Sequence, residues 1–80
     1  MKEFKIMLPT IADAKEFVAV ASKCNFEIDV FYNRVTIDAK SMLGVLSLDL
    51  TKTLTVEFSG ENAEFEELLR AKASSKYSAA

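Results

Sequence analysis

Histidine and tryptophan are absent from the 80 residues, and there are only one cysteine, one proline and two glycines. Without imidazole there is no histidine base, nucleophile or metal ligand. With Cys24 alone beside carboxylates scattered over several segments, neither a metal site nor a bound cofactor is expected. A single cysteine also excludes an internal disulfide, the staple of many small secreted domains; this favours a reducing compartment and a packing role for Cys24. Gly44 and Gly60 are too few and too far apart for a glycine-rich phosphate loop. No run approaches the roughly 18 apolar residues of a membrane-spanning helix, and the opening Met1-Lys2-Glu3-Phe4 is charged, so a cytoplasmic protein without a membrane partner is expected. Nor is there an excess of positive charge: the formal net charge is -2, with acids and bases interspersed, which argues against nucleic acid as a partner.

What the chain does contain is enough for one core. Half of it is hydrophobic and 28% is charged, the balance of a globular domain, and 80 residues lie near the lower end of what folds unaided. Phe4, Ile6 and Leu8 alternate, which predicts a strand over 2–8 ended by Pro9. Ala14, Phe17, Val18, Ala21 and Cys24 then recur at steps of three and four, the spacing of an amphipathic helix. Thr10 followed by Asp13 at its start is a variant capping box.

Two further alternating runs, Phe26 to Tyr32 and Val35 to Ala39, flank Asn33-Arg34 and predict a hairpin. Its turn is strained or longer than two residues, because a primed turn wants positive φ twice and Arg34 disfavours it. Ser41 stands as N-cap before a short helix over 42–48, Leu54, Val56 and Phe58 alternate as a fourth strand, and an acidic start predicts a third helix over 61–72. The order βαββαβα gives a two-layer α+β domain over 1–73, with a frayed tail over 74–80. Phe31 falls on the opposite side of its strand from Ile28 and Val30, on the open sheet face, where it could pack against Met7 or an oligomer mate.

The segment Val35-Thr36-Ile37-Asp38-Ala39-Lys40-Ser41-Met42-Leu43-Gly44-Val45-Leu46-Ser47-Leu48 resembles the sequence around the regulatory serine of HPr, the phosphocarrier of the sugar phosphotransferase system. Glu16-Phe17-Val18 and Ala21-Ser22-Lys23 are similar to the first HPr helix, and the spacing to Ser41 needs no gap. The resemblance covers nearly the whole chain and implies the HPr fold, an open-faced β-sandwich whose four-stranded antiparallel sheet carries three helices on one face.

In that family the phosphate acceptor is a histidine followed by Ala-Arg-Pro before the first helix. The matching positions here are Thr10-Ile11-Ala12-Asp13. The nucleophile, the guanidinium and the proline are all missing, and Asp13 sets a carboxylate where phosphate would meet the helix amides. The resemblance therefore implies a relative that is not a histidine phosphocarrier. Thr10 would need a base or metal to act as acceptor, and capping the helix, worth about 1 kcal/mol, explains it better.

By resemblance, Ser41 matches the serine modified by HPr kinase/phosphorylase, with Lys40 before it, and Met42, Leu43 and Leu46 match the apolar surface offered to partners. Phosphate on Ser41 would change the local charge abruptly and gain helix amides, although capping alone also accounts for a serine there. Val45 and Leu48 read as core; Leu43 and Leu46 fit either role. The expected function is a non-catalytic regulatory binding protein comparable with Crh-type relatives, docking HPr kinase/phosphorylase or a transcription regulator on its second helix. Those relatives retain the arginine that is Ala12 here, which weakens the regulator as a partner. The alternatives are a self-associating structural domain and, furthest from the residues, a phosphotransferase intermediate on Thr10. Glu61, Glu64, Glu66 and Glu67 read as a solvated helix face, and no enzyme chemistry is expected.

Overall fold

A computed structural model describes residues 1–73; the tail expected over 74–80 lies outside the described residues. The elements follow the order β1 (Lys2–Ile6), α1 (Ile11–Ser22), β2 (Ile28–Tyr32), β3 (Val35–Asp38), α2 (Met42–Leu46), β4 (Leu54–Phe58) and α3 (Ala63–Ala71). The strands form one antiparallel sheet in the order β1-β4-β2-β3. This is the expected α+β arrangement of four strands and three helices.

Alternation decides which side of the sheet is covered. Ile6, Leu54, Val56, Phe58, Ile28 and Val30 face the helices and are buried, where they meet Phe17 and Val18 of α1, Val45 of α2 and Phe65 and Leu69 of α3. Phe58 is the aromatic centre. Its ring stacks on Phe4 and Phe26 at centroid distances of 5.8 and 5.6 Å and meets Phe65 edge-on at 5.3 Å, while the Lys2 ammonium lies 5.7 Å from its centroid.

The opposite face is open. Glu3, Glu57, Asp29 and Asp38 pair in register to form an acidic row across all four strands. Neighbouring like charges disfavour sheet pairing by a few tenths of a kcal/mol or more each. Lys5 relieves one end, its Nζ lying 4.0 Å from Glu3 and donating to Thr55 Oγ1 at 2.8 Å. Phe31 lies in the next row, between Thr55 and Thr36, and is half-buried.

Several boundaries differ from the sequence expectation, each because a backbone group finds another partner. β1 stops at Ile6 because the Met7 N–H donates to Lys72 O at 2.9 Å, where the chain after α3 returns along the edge and Ala73 bridges Ile6. β2 begins at Ile28, opposite Phe58, the last residue of β4. The β2–β3 turn is a two-residue loop after all: Tyr32 pairs with Val35, and Asn33 alone takes the left-handed φ of 55°. α2 ends at Leu46 with Ser47 as C-cap, and α3 starts at Ala63 because Asn62 Oδ1 accepts the Phe65 N–H at 2.9 Å.

Gly44 lets α2 approach β3. A Cβ there would lie 2.6 Å from Ile37 Cγ2 and 3.1 Å from Ser41 Oγ. Alanine gains about 1 kcal/mol of helix propensity, but the Ile37 methyl sits on a branched Cβ and cannot swing aside. Gly44→Ala is therefore expected to be destabilising by about 1–3 kcal/mol, the usual range for overpacking, measured as a fall in the urea midpoint. A rise in the midpoint would show that α2 shifts freely on β3.

Candidate functional site

Two places carry the residues singled out in the sequence: the start of α1 and the start of α2. At the first, Thr10 adopts extended φ and ψ and its Oγ1 accepts the Asp13 N–H at 3.1 Å, making it the α1 N-cap. The same hydroxyl donates to Asp13 Oδ2 at 2.8 Å. Asp13 Oδ1 accepts from Lys72 Nζ at 2.6 Å, and that ammonium also lies 3.2 Å from Glu16 Oε1. Ile11 beside them is 61% exposed.

Both Asp13 carboxylate oxygens are thus engaged, Oδ2 by the Thr10 hydroxyl and Oδ1 by the Lys72 ammonium. The hydrogen bond from Lys72, then that from the Thr10 hydroxyl, holds the Asp13 carboxyl below the usual aspartate range. The same contact, with Glu16 adding to it, raises Lys72 above the usual lysine value. The site ties the start of α1 to the end of α3.

The pair sets a pH dependence. Because Asp13 titrates lower in the folded chain than unfolded, its contribution is complete above the ordinary aspartate value near 4 and is lost as pH falls through the depressed folded value. Because Lys72 titrates higher when folded, its contribution is lost only as pH rises from the ordinary lysine value, near 10.4, through the raised folded one. Asp13→Asn should thus be less stable than the parent by a constant margin between pH 5 and 9, and the margin should shrink in acid, measured by urea unfolding across pH. A margin that persists unchanged at pH 2 would mean that the ion pair is not its source.

At the second place Ser41 Oγ accepts the Gly44 N–H at 3.2 Å, capping α2, and the residue is exposed. Met42 is 36% and Leu43 84% exposed, whereas Leu46 is half-buried against the core. Val45 and Leu48 are buried as expected. Lys40 is half-buried, with its Nζ donating to Cys24 O at 2.8 Å and its backbone N–H to Asp38 Oδ1 at 2.8 Å. Its ammonium therefore ties the β3–α2 connection to the end of α1. Met42 and Leu43 remain beside Ser41 as apolar side chains open to contact.

Sequence reasoning missed Lys72 as the partner of Asp13, because 59 residues separate them and nothing local marks the contact. It also missed Ile11, whose exposure follows from its place in the first turn of α1. Cys24 is buried, and burial pushes its thiol pKa up, consistent with packing rather than reactivity. Among the described residues no helix is long and apolar enough to cross a membrane.

The family model described as "PTS HPr component phosphorylation site" matches residues 12–74, beginning past Thr10. The structure of HPr-C-His from Thermoanaerobacter tengcongensis is similar with a TM-score of 0.73 and 27% identity, covering 98% of this chain and 97% of that one. The histidine-containing phosphocarrier protein of Mycoplasma shares the fold with a TM-score of 0.64 and 17% identity, over 88% of this chain and 85% of that one. A chain that matches the family model over most of its length, with the family's strand and helix order, belongs to the HPr family of the phosphotransferase system.

Proposed function

We propose that this chain is a non-catalytic regulatory binding protein, docking protein partners through α2 and controlled by phosphorylation of Ser41. The observation that carries the reading is the placing of Leu43 and Met42, exposed apolar side chains, directly after an exposed serine at the start of α2. An apolar side chain left almost wholly in water by a small domain gains hydrophobic stabilisation when a partner covers it and suits an adaptable contact. Phosphorylation would add roughly 1.5 to 2 negative charges beside it, sufficient to change which partner surface fits.

The start of α1 supports a role without histidine phosphotransfer. No histidine is present anywhere in the 80 residues, and Asp13 occupies the helix start with its charge already matched by Lys72. Family membership suggests HPr kinase/phosphorylase as the enzyme acting on Ser41. The test is the kinetics of phosphorylation by that enzyme with ATP. Leu43→Asp, at a position too exposed to affect folding, should raise KM about tenfold or more, whereas Phe31→Ala on the far face of the sheet should leave KM unchanged. Equal KM values for all three proteins would remove α2 as the docking surface.

A further inference from the structure

A second surface lies away from α2. α1 and α3 leave an open groove of about 400 Å³ between them, lined by Glu16 and Val20 of α1 and by Glu64, Glu67, Leu68 and Ala71 of α3. On α3 these positions follow steps of three, four and seven, and on α1 a step of four, so each helix presents one continuous stripe to the groove. Val20 and Leu68 are half-buried against the core and form an apolar floor. The carboxylates stand around it, and none of the lining residues is a cation. Glu16 is paired with Lys72 at 3.2 Å and Glu64 with Lys23 at 3.8 Å, while Glu67 has no ion pair among the described residues.

We propose that this groove docks a basic amphipathic helix of a partner protein, its apolar stripe on Val20 and Leu68 and its lysines or arginines against Glu67 and against Glu64, whose 3.8 Å pair with Lys23 is exposed on both sides and open to exchange. An apolar floor rimmed by carboxylates matches that chemistry on both counts, as in other helix-in-groove contacts. The stripe from Glu64 to Ala71 spans about two helical turns, near 10 Å, so a partner helix of three to four turns covers it. A second copy of this chain is disfavoured by charge, since the chain is net acidic and its own α3 begins with Glu64 and Glu66. Nucleic acid would be repelled by the same rim.

The test is an NMR titration of the 15N-labelled full chain with a synthetic 16-residue peptide of leucine and lysine, leucines at steps of three and four, against a scrambled peptide of the same composition. The expected result is that the patterned peptide moves the amides of Val20, Leu68 and Ala71 while the scrambled one does not. Glu67→Lys and the double variant Glu64→Gln/Glu67→Gln, both checked for unchanged circular dichroism, should each weaken binding about tenfold. Shifts centred on Glu3, Asp29 and Glu57, or equal shifts from both peptides, would overturn the proposal as nonspecific attraction to acid. It is overturned equally if the amides of Val20 and Leu68 move with protein concentration alone, the mark of a second copy, or if both move on deletion of residues 74–80, which would point to the chain's own tail as the occupant.

Discussion

Replacing Phe58 with alanine should lower the unfolding free energy by about 3–5 kcal/mol, the usual cost of removing a buried aromatic ring. The total for a domain of 80 residues is only about 4–12 kcal/mol, so the variant should be marginally folded at 25 °C. The size of the effect follows from position. Phe58 is 2% exposed, it touches the rings of Phe4, Phe26 and Phe65, and it joins β4 to both neighbouring strands. Relaxation cannot easily fill the space, because Phe26 is held on its outer side by Gly60, where a Cβ would lie 2.5 Å from the ring. Urea unfolding followed by far-ultraviolet circular dichroism measures the loss. Phe31→Ala on the open face of the same sheet is the control, expected to cost about 1–2 kcal/mol because its ring is only half-buried. Comparable losses at the two positions would contradict the assignment of the covered face.

Thr10→His alone should accept phosphate only very slowly when incubated with enzyme I and phosphoenolpyruvate, although it restores the residue type that the family uses. The reason lies in the neighbours. Asp13 keeps a carboxylate at the helix start and engages the Lys72 ammonium at 2.6 Å, and Ala12 supplies no guanidinium. The variant Thr10→His/Ala12→Arg/Asp13→Ala removes the repelling charge, releases Lys72 and adds a cation. Opposite charges a few ångströms apart in a partly screened site interact by several kcal/mol, so the triple variant should accept phosphate at least a hundredfold faster than the single one. Intact-mass measurement over time gives both rates. Equal rates would show that the imidazole alone was missing and that Asp13 does not guard the position.

The α+β order was legible because each element carries its own local pattern: the alternation of Leu54, Val56 and Phe58, the three-four spacing from Ala14 to Ala21, and the caps at Thr10 and Ser41. Element ends were less legible, since they depend on distant partners, as when Lys72 O takes the Met7 N–H and ends β1. The two faces of Leu43 and Leu46 could not be told apart in the sequence because a helix of five residues is too short for a period to show; packing against β3 and α1 decides it. The acidic row of Glu3, Glu57, Asp29 and Asp38 was invisible for a different reason. Its members come from four strands and are neighbours only through sheet register. The Asp13–Lys72 contact and the α1–α3 groove are likewise products of tertiary packing rather than of local sequence.

Control at Ser41 without histidine phosphotransfer, as proposed for this member of the HPr family, is decided by mapping phosphate. The purified chain is incubated with HPr kinase and ATP, and separately with enzyme I and phosphoenolpyruvate, and each product is examined by intact-mass and peptide mass spectrometry. One phosphate on Ser41 from the kinase and none from enzyme I is the predicted result. Phosphate on Thr10 from enzyme I, or no phosphate from the kinase, would contradict it.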